Sequence, residues 1–70
     1  MSESVYKVIE VVGSSKESWE QAATAAMMTA ARSLRDIRVG EVIGMDVHLD
    51  GDTLTYRTKI KVSFKYHDED

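Results

Sequence analysis

The segment Val39-Gly40-Glu41-Val42-Ile43-Gly44-Met45-Asp46-Val47-His48-Leu49-Asp50-Gly51-Asp52-Thr53-Leu54-Thr55-Tyr56-Arg57-Thr58-Lys59-Ile60-Lys61-Val62-Ser63-Phe64 alternates with period two on both sides of an Asp-Gly dipeptide. That pattern predicts two long antiparallel strands, over about residues 38–49 and 53–66, joined at Asp50-Gly51, a dipeptide suited to a type I′ turn. Strict alternation puts Val39, Glu41, Ile43, Met45, Val47 and Leu49 on one face of the first strand. On the return strand Leu54, Tyr56, Thr58, Ile60, Val62, Phe64 and Tyr66 face inward. The opposite face reads Thr53, Thr55, Arg57, Lys59, Lys61, Ser63 and Lys65, a charge row of the kind that solvates or protects a sheet.

Upstream, the spacing predicts a helix over about residues 15–35. Ser14-Ser15-Lys16-Glu17 has the form of a capping box, and Trp19, Ala22, Ala23, Ala26, Ala30 and Leu34 recur at helical spacing. A stripe of alanine buries little per residue and favours close approach of helix to sheet. Met27 and Met28 sit beside it and read as adaptable packing. Further upstream, Val5 to Val12 is β-branched and aromatic and reads as a strand closed by Gly13. Val5, Ile9 and Val11 share one face; Tyr6, Val8 and Val12 share the other. Both faces are apolar, so both call for cover.

The expected class is therefore α+β, a β-α-β-β chain with a three-stranded antiparallel sheet partly wrapping one helix, in one domain over residues 1–70. Strands of a dozen residues run roughly 40 Å, whereas about twenty residues of helix reach only roughly 30 Å. Some apolar sheet surface is left over. A chain of 70 residues without cysteine lies where a single core is marginal, and oligomerisation is a usual remedy. Self-association is expected.

Composition narrows the function. Nine Lys+Arg stand against twelve Asp+Glu, a net charge of −3, with no basic half to suit nucleic acid. Met1-Ser2-Glu3-Ser4 lacks the basic start and apolar run of a signal peptide, and no stretch is long enough to span a bilayer. A soluble, cytoplasmic chain with no membrane partner is expected, its last residues His67-Asp68-Glu69-Asp70 forming a solvated tail. Catalytic chemistry is thin. There is no cysteine nucleophile, and neither His48 nor His67 has a serine and carboxylate partner that the sequence can place. Asp36, Glu41, Asp46, Asp50 and Asp52 show no spacing that calls for general acid and base work. Gly13-Ser14-Ser15 before a helix suits a phosphate, and simple capping explains it as well. No enzyme is expected.

Strand, Gly-Ser-Ser, capped helix and long hairpin, in that order, resemble the dodecins. The matching residues are Val5-Tyr6-Lys7-Val8-Ile9-Glu10-Val11-Val12-Gly13-Ser14-Ser15, the helix from Trp19-Glu20-Gln21-Ala22-Ala23, Glu41-Val42, and Tyr56 through Phe64. The resemblance implies a hollow assembly of twelve copies, a homododecamer whose only protein partner is itself. In flavin-binding members, tryptophans near the start of the second strand stack paired flavin rings, and a glutamine on the third strand bonds the ring edge. Those positions fall on Val39 and Arg57, so neither the stacking ring nor the glutamine is carried over. Because alternation sets Val39 and Arg57 on opposite faces, a shared pocket requires a β-bulge, near Gly44, or contributions from two subunits.

Ser18-Trp19-Glu20-Gln21-Ala22-Ala23, Asp36-Ile37-Arg38-Val39 and Thr55-Tyr56-Arg57 look more like the branch of the family named for calcium. Calcium takes six to eight oxygens, more than one acidic stretch here offers, and Asp50 and Asp52 are the nearest local candidates. Three readings follow. The first is a non-enzymatic hollow oligomer that stores a small ligand or ion, calcium among them, between subunits. The second is storage of flavin, FMN or riboflavin, in an atypical pocket at Val39 and Arg57. The third is an anion-binding scaffold or small enzyme using Arg57, Lys59 and Lys61, with Arg38 as a further anion contact.

Overall fold

The computed structural model describes residues 3–66. The chain runs β1 (Tyr6–Ser15), α1 (Trp19–Ser33), β2 (Val39–Asp50) and β3 (Thr53–Lys65). The strands form one antiparallel sheet in the order β1-β3-β2, so β3 is central and both other strands are edges. This is the expected α+β arrangement of β-α-β-β order. The solvated tail expected from His67 onward lies outside the described residues.

Register sorts the side chains. Ile9 stands opposite Val62 and Val11 opposite Ile60, on the face that α1 covers. Ala26, Ile60 and Val62 form the buried centre, with Ile9, Val11, Ala23, Met27 and Ile37 packed around it. Thr58, also buried, donates its hydroxyl to the Trp19 carbonyl at 2.9 Å, which removes the penalty of a lone buried hydroxyl. The alanine stripe is the contact surface: Ala22, Ala26 and Ala30 are its buried residues.

Several expectations are corrected. Gly13 does not end β1, which continues through it to Ser15. A Cβ there would collide with the Ala22 carbonyl oxygen and come within 2.9 Å of the Ala26 Cβ, so this glycine lets helix and strand approach rather than breaking the strand. The helix starts later than expected. Ser18 is its N-cap, its side chain accepting from Gln21 N at 3.0 Å, and Ser15 instead accepts from Glu17 N in the turn before it. Gly13-Ser14-Ser15 thus lies in a strand, away from any helix N-terminus. At the other end α1 stops at Ser33, and Asp36 reverses the chain with φ 63, a left-handed conformation that aspartate tolerates better than most residues.

The hairpin turn is also shifted by one residue. Asp50 pairs with Thr53, which leaves Gly51 and Asp52 at its centre. Gly51 has φ 62, and Asp52 is not among the left-handed residues, the pattern of a type II′ turn with glycine first. Strict alternation then fails along β2, where the register shifts between Val42 and Gly44. The extra residue of this bulge moves Val39 and Glu41 to the face opposite Met45, Val47 and Leu49.

The same packing leaves part of the sheet bare. The helix lies over β1 and β3 and barely touches β2. Val42, Met45, Val47 and Leu49 remain 47–68% exposed on the helix side of β2.

Gly13→Ala should lower stability by about 1–3 kcal/mol, the range for overpacking. Gly44→Ala, whose Cβ would meet nothing closer than Lys59 Cδ at 3.5 Å, should be nearly neutral. Urea midpoints at one fixed protein concentration check the pair.

Candidate functional site

The face of the sheet turned away from α1 holds every site residue expected on the strands. Because β3 is central, the register builds rows of three across this face. Val8, Ser63 and Val39 make one row; Glu10, Lys61 and Glu41 the next; Val12, Lys59 and Gly44 another; Ser14, Arg57 and Asp46 the last. The bulge brings Val39 and Arg57 onto the same face. It does not bring them together. Val39 stands opposite Ser63, six residues from Arg57 along β3, roughly 20 Å at ~3.3 Å per residue.

The basic row is balanced by acids. Arg57 makes a two-pronged pair with Asp46, Nε to Oδ1 and NH2 to Oδ2, both at 2.7 Å. This fork-to-fork geometry is the strongest form of the carboxylate–guanidinium contact. Lys61 stands between Glu10 and Glu41, whereas Lys59 faces Val12 and Gly44 and Lys65 faces Tyr6. A row that carries its own counter-charges draws free anions less than one of bare cations.

Hydrogen bonding from Arg57 holds the Asp46 carboxyl below its ordinary value. Partial desolvation opposes the effect, and the charges of Arg57, Lys59 and His48 add to it. The reciprocal bond raises Arg57. Both side chains keep more than a third of their surface in water, so the pair fixes geometry more than it adds stability. Trp19 locks the same corner from the other side. Its ring packs edge-on to Tyr56 with centroids 5.0 Å apart, and its Nε1 donates to the Asp46 carbonyl at 3.2 Å. Trp19 is thus a half-exposed clasp between the start of α1 and the hairpin, rather than a member of the buried stripe.

Beside Val39 lies a hollow of about 460 Å³ lined by Tyr6, Asp36, Arg38, Val39, Ser63 and Lys65. Arg38 belongs here, with Lys65 and the Tyr6 ring, and not with the Arg57 row. Asp50 and Asp52 stand on either side of Gly51 at the far tip of the hairpin, both exposed. Among the described residues no three of histidine, aspartate or glutamate gather closely enough to hold a metal.

Sequence reasoning missed the Asp46 pair and the Trp19 clasp. The first was recoverable: Asp46 and Arg57 lie equally far from the Asp50 and Thr53 that close the turn, so an unbroken hairpin sets them opposite one another. The second had no local signal, since Trp19 and Asp46 are 27 residues apart.

A three-stranded antiparallel sheet backed by one helix defines a small β-α-β-β protein. A family model described as Dodecin matches residues 5–67. Calcium dodecin from Mycobacterium tuberculosis is 52% identical over 63 residues, spanning 89% of each chain. A crystal structure of calcium dodecin from that organism, described as a calcium-chelating antigen with a novel calcium-binding site, matches with TM-score 0.87. It is 48% identical and covers 96% of this chain and 97% of that one. Dodecin from Streptomyces coelicolor matches at 0.88, with 27% identity over 99% of this chain and 100% of that one. The chain belongs to the dodecin family.

The Asp46 carboxyl should titrate below its ordinary 3.8. Its folded value is depressed, so the stability it lends is present above the ordinary value and is lost as pH falls through the folded one. In Arg57→Gln the midpoint should return toward 3.8. Carboxyl carbon NMR across an acid titration reads both, and an Asp46 midpoint unmoved by the substitution would contradict the pairing.

Proposed function

We propose that this chain forms a dodecin-type hollow homo-oligomer of twelve copies, without catalytic activity, that holds a small ligand or ion at the junctions between subunits. Calcium is the cargo that this reading favours. The observation that carries it is the 52% identity to calcium dodecin over 89% of both chains. The chemistry of the donors is consistent with a shared site. Among the described residues no three ligating side chains cluster within one copy, and calcium requires six to eight oxygens. A complete coordination sphere therefore draws carboxylates and carbonyls from more than one subunit. Affinity for calcium then depends on assembly, and dilution that separates the subunits abolishes it. A cytoplasmic location belongs to the same proposal, and no helix among the described residues is long and apolar enough to cross a membrane.

Calcium titration of chelator-treated oligomer by calorimetry tests the reading. Saturable binding, with a stoichiometry that divides evenly into the subunit number, is expected. Absence of heat and of retained calcium at millimolar free ion would overturn the calcium assignment.

A second reading, flavin storage, is favoured by the hollow beside Val39. Tyr6 offers an aromatic ring there, and Arg38 and Lys65 offer charges that suit a phosphate. Stacking on one tyrosine supplies less ring area than a tryptophan, and Arg57, already bound to Asp46, lies roughly 20 Å off on the same copy. On this reading FMN is held more weakly than in members with the stacking tryptophan, and Val39→Trp should tighten binding at least tenfold by fluorescence quenching. Equal affinity in both proteins would remove the flavin pocket from consideration.

A further inference from the structure

The corner where α1 begins beside the hairpin is fixed from both faces of the sheet, and Trp19 is the common point. On the helix side its Nε1 donates to the Asp46 carbonyl, its ring packs on Tyr56, and its own carbonyl accepts from the Thr58 hydroxyl. Tyr56 and Thr58 are the chain neighbours of Arg57. Trp19 therefore anchors the residues on both sides of Arg57, and Asp46 itself, through contacts that use neither the guanidinium nor the carboxylate.

On the uncovered face those two groups meet in a fork, with both nitrogen-to-oxygen distances 2.7 Å. The geometry is that of a guanidinium receiving a planar oxyanion. Two further donors stand near. Ser14 lies opposite Arg57 on β1, and Lys59, two residues along β3 on the same face, carries a charge that reaches Asp46. Lys59 has no acid across from it on either neighbouring strand, where it faces Val12 and Gly44. Its charge is open to an anion.

We propose that Asp46 is the specificity-determining residue of this corner: its carboxylate is the standing occupant of an oxyanion cradle made by Arg57, Lys59 and Ser14, and it shuts out free carboxylates and phosphates. The inference concerns what the corner refuses, so it goes beyond the cargo proposed above and holds whichever cargo the protein carries. Tethering decides the competition. A carboxylate held on the paired strand acts at an effective concentration on the order of millimolar or above, whereas a free anion must also give up its translational freedom. Both members of the pair are more than a third exposed, so solvent anions reach the cradle once the carboxylate is gone. Because Trp19 grips Asp46 by its carbonyl, shortening the Asp46 side chain leaves the corner standing.

Calorimetric titration of inorganic phosphate into the full-length protein at low ionic strength, where screening is weak, is the test. Asp46→Ala should bind phosphate at least about tenfold more tightly than the unmodified chain, the return expected from charge-assisted hydrogen bonds. Adding Arg57→Gln to that variant should abolish the gain. Asp52→Ala removes the same charge from the hairpin tip, outside the cradle, and should change phosphate affinity little. Trp19 is the single tryptophan, and an unmoved emission maximum in each variant reports an intact corner. Equal phosphate affinity in Asp46→Ala and the unmodified chain overturns the proposal. It is overturned as well if the gain survives Arg57→Gln, which places the anion elsewhere, or if Asp52→Ala gains as much, which makes the effect one of net charge. Should Asp46→Ala shift the Trp19 emission, Asp46→Asn keeps the side-chain size and removes the charge; its amide oxygen still accepts one bond, so a smaller gain is expected, and no gain overturns the proposal.

Discussion

A single fifteen-residue helix cannot cover a sheet built with two longer strands, and this shortfall governs the structure. The alanines of α1 let it settle close onto β1 and β3, with Gly13 admitting the backbone of the helix where a side chain would stop it. Close approach makes the core tight and narrow. Ile60 and Val62 are buried, while β2, one strand further out, keeps its apolar side in water. A wider stripe of leucine would give a thicker core, but it would hold the helix away from the sheet and lose the dense packing that a small chain relies on. Close packing of the helix and full cover of the sheet thus work against one another within one copy.

The polar side of the sheet follows a different logic. Two of its basic residues are set against acids: Arg57 is forked onto Asp46, and Lys61 stands between two glutamates. Such rows stabilise register across strands without presenting a strong net field. The face keeps two sparing features, the hollow at Val39 and the Asp46 corner clasped by Trp19. Among the described residues of this face no three carboxylates or histidines gather closely enough to hold a metal.

Much of the fold was legible because its signals were local. Alternation through Thr58, Ile60 and Val62 named the buried side of β3, and the alanine spacing named the buried side of α1. Ser14-Ser15-Lys16-Glu17 read as the cap, and Ser18 takes that place through a contact that the sequence does not display, the fit of Gly13 against Ala22 and Ala26, which holds the chain extended through Ser15. The bulge between Val42 and Gly44 was legible only as a need, since alternation kept Val39 and Arg57 apart. Its place in the strand, and the distance that still separates the two residues, required the register. Trp19 read as core because helical spacing put it on the stripe; its contact with Asp46, from a distant strand, made it a clasp instead.

The bare β2 face makes the isolated subunit incomplete, and native mass spectrometry of the unmodified protein at low micromolar concentration measures this directly. A single closed species at a fixed multiple of the 7.9 kDa subunit, with twelve as the expected multiple, is the predicted result. A spectrum dominated by the folded monomer would contradict it.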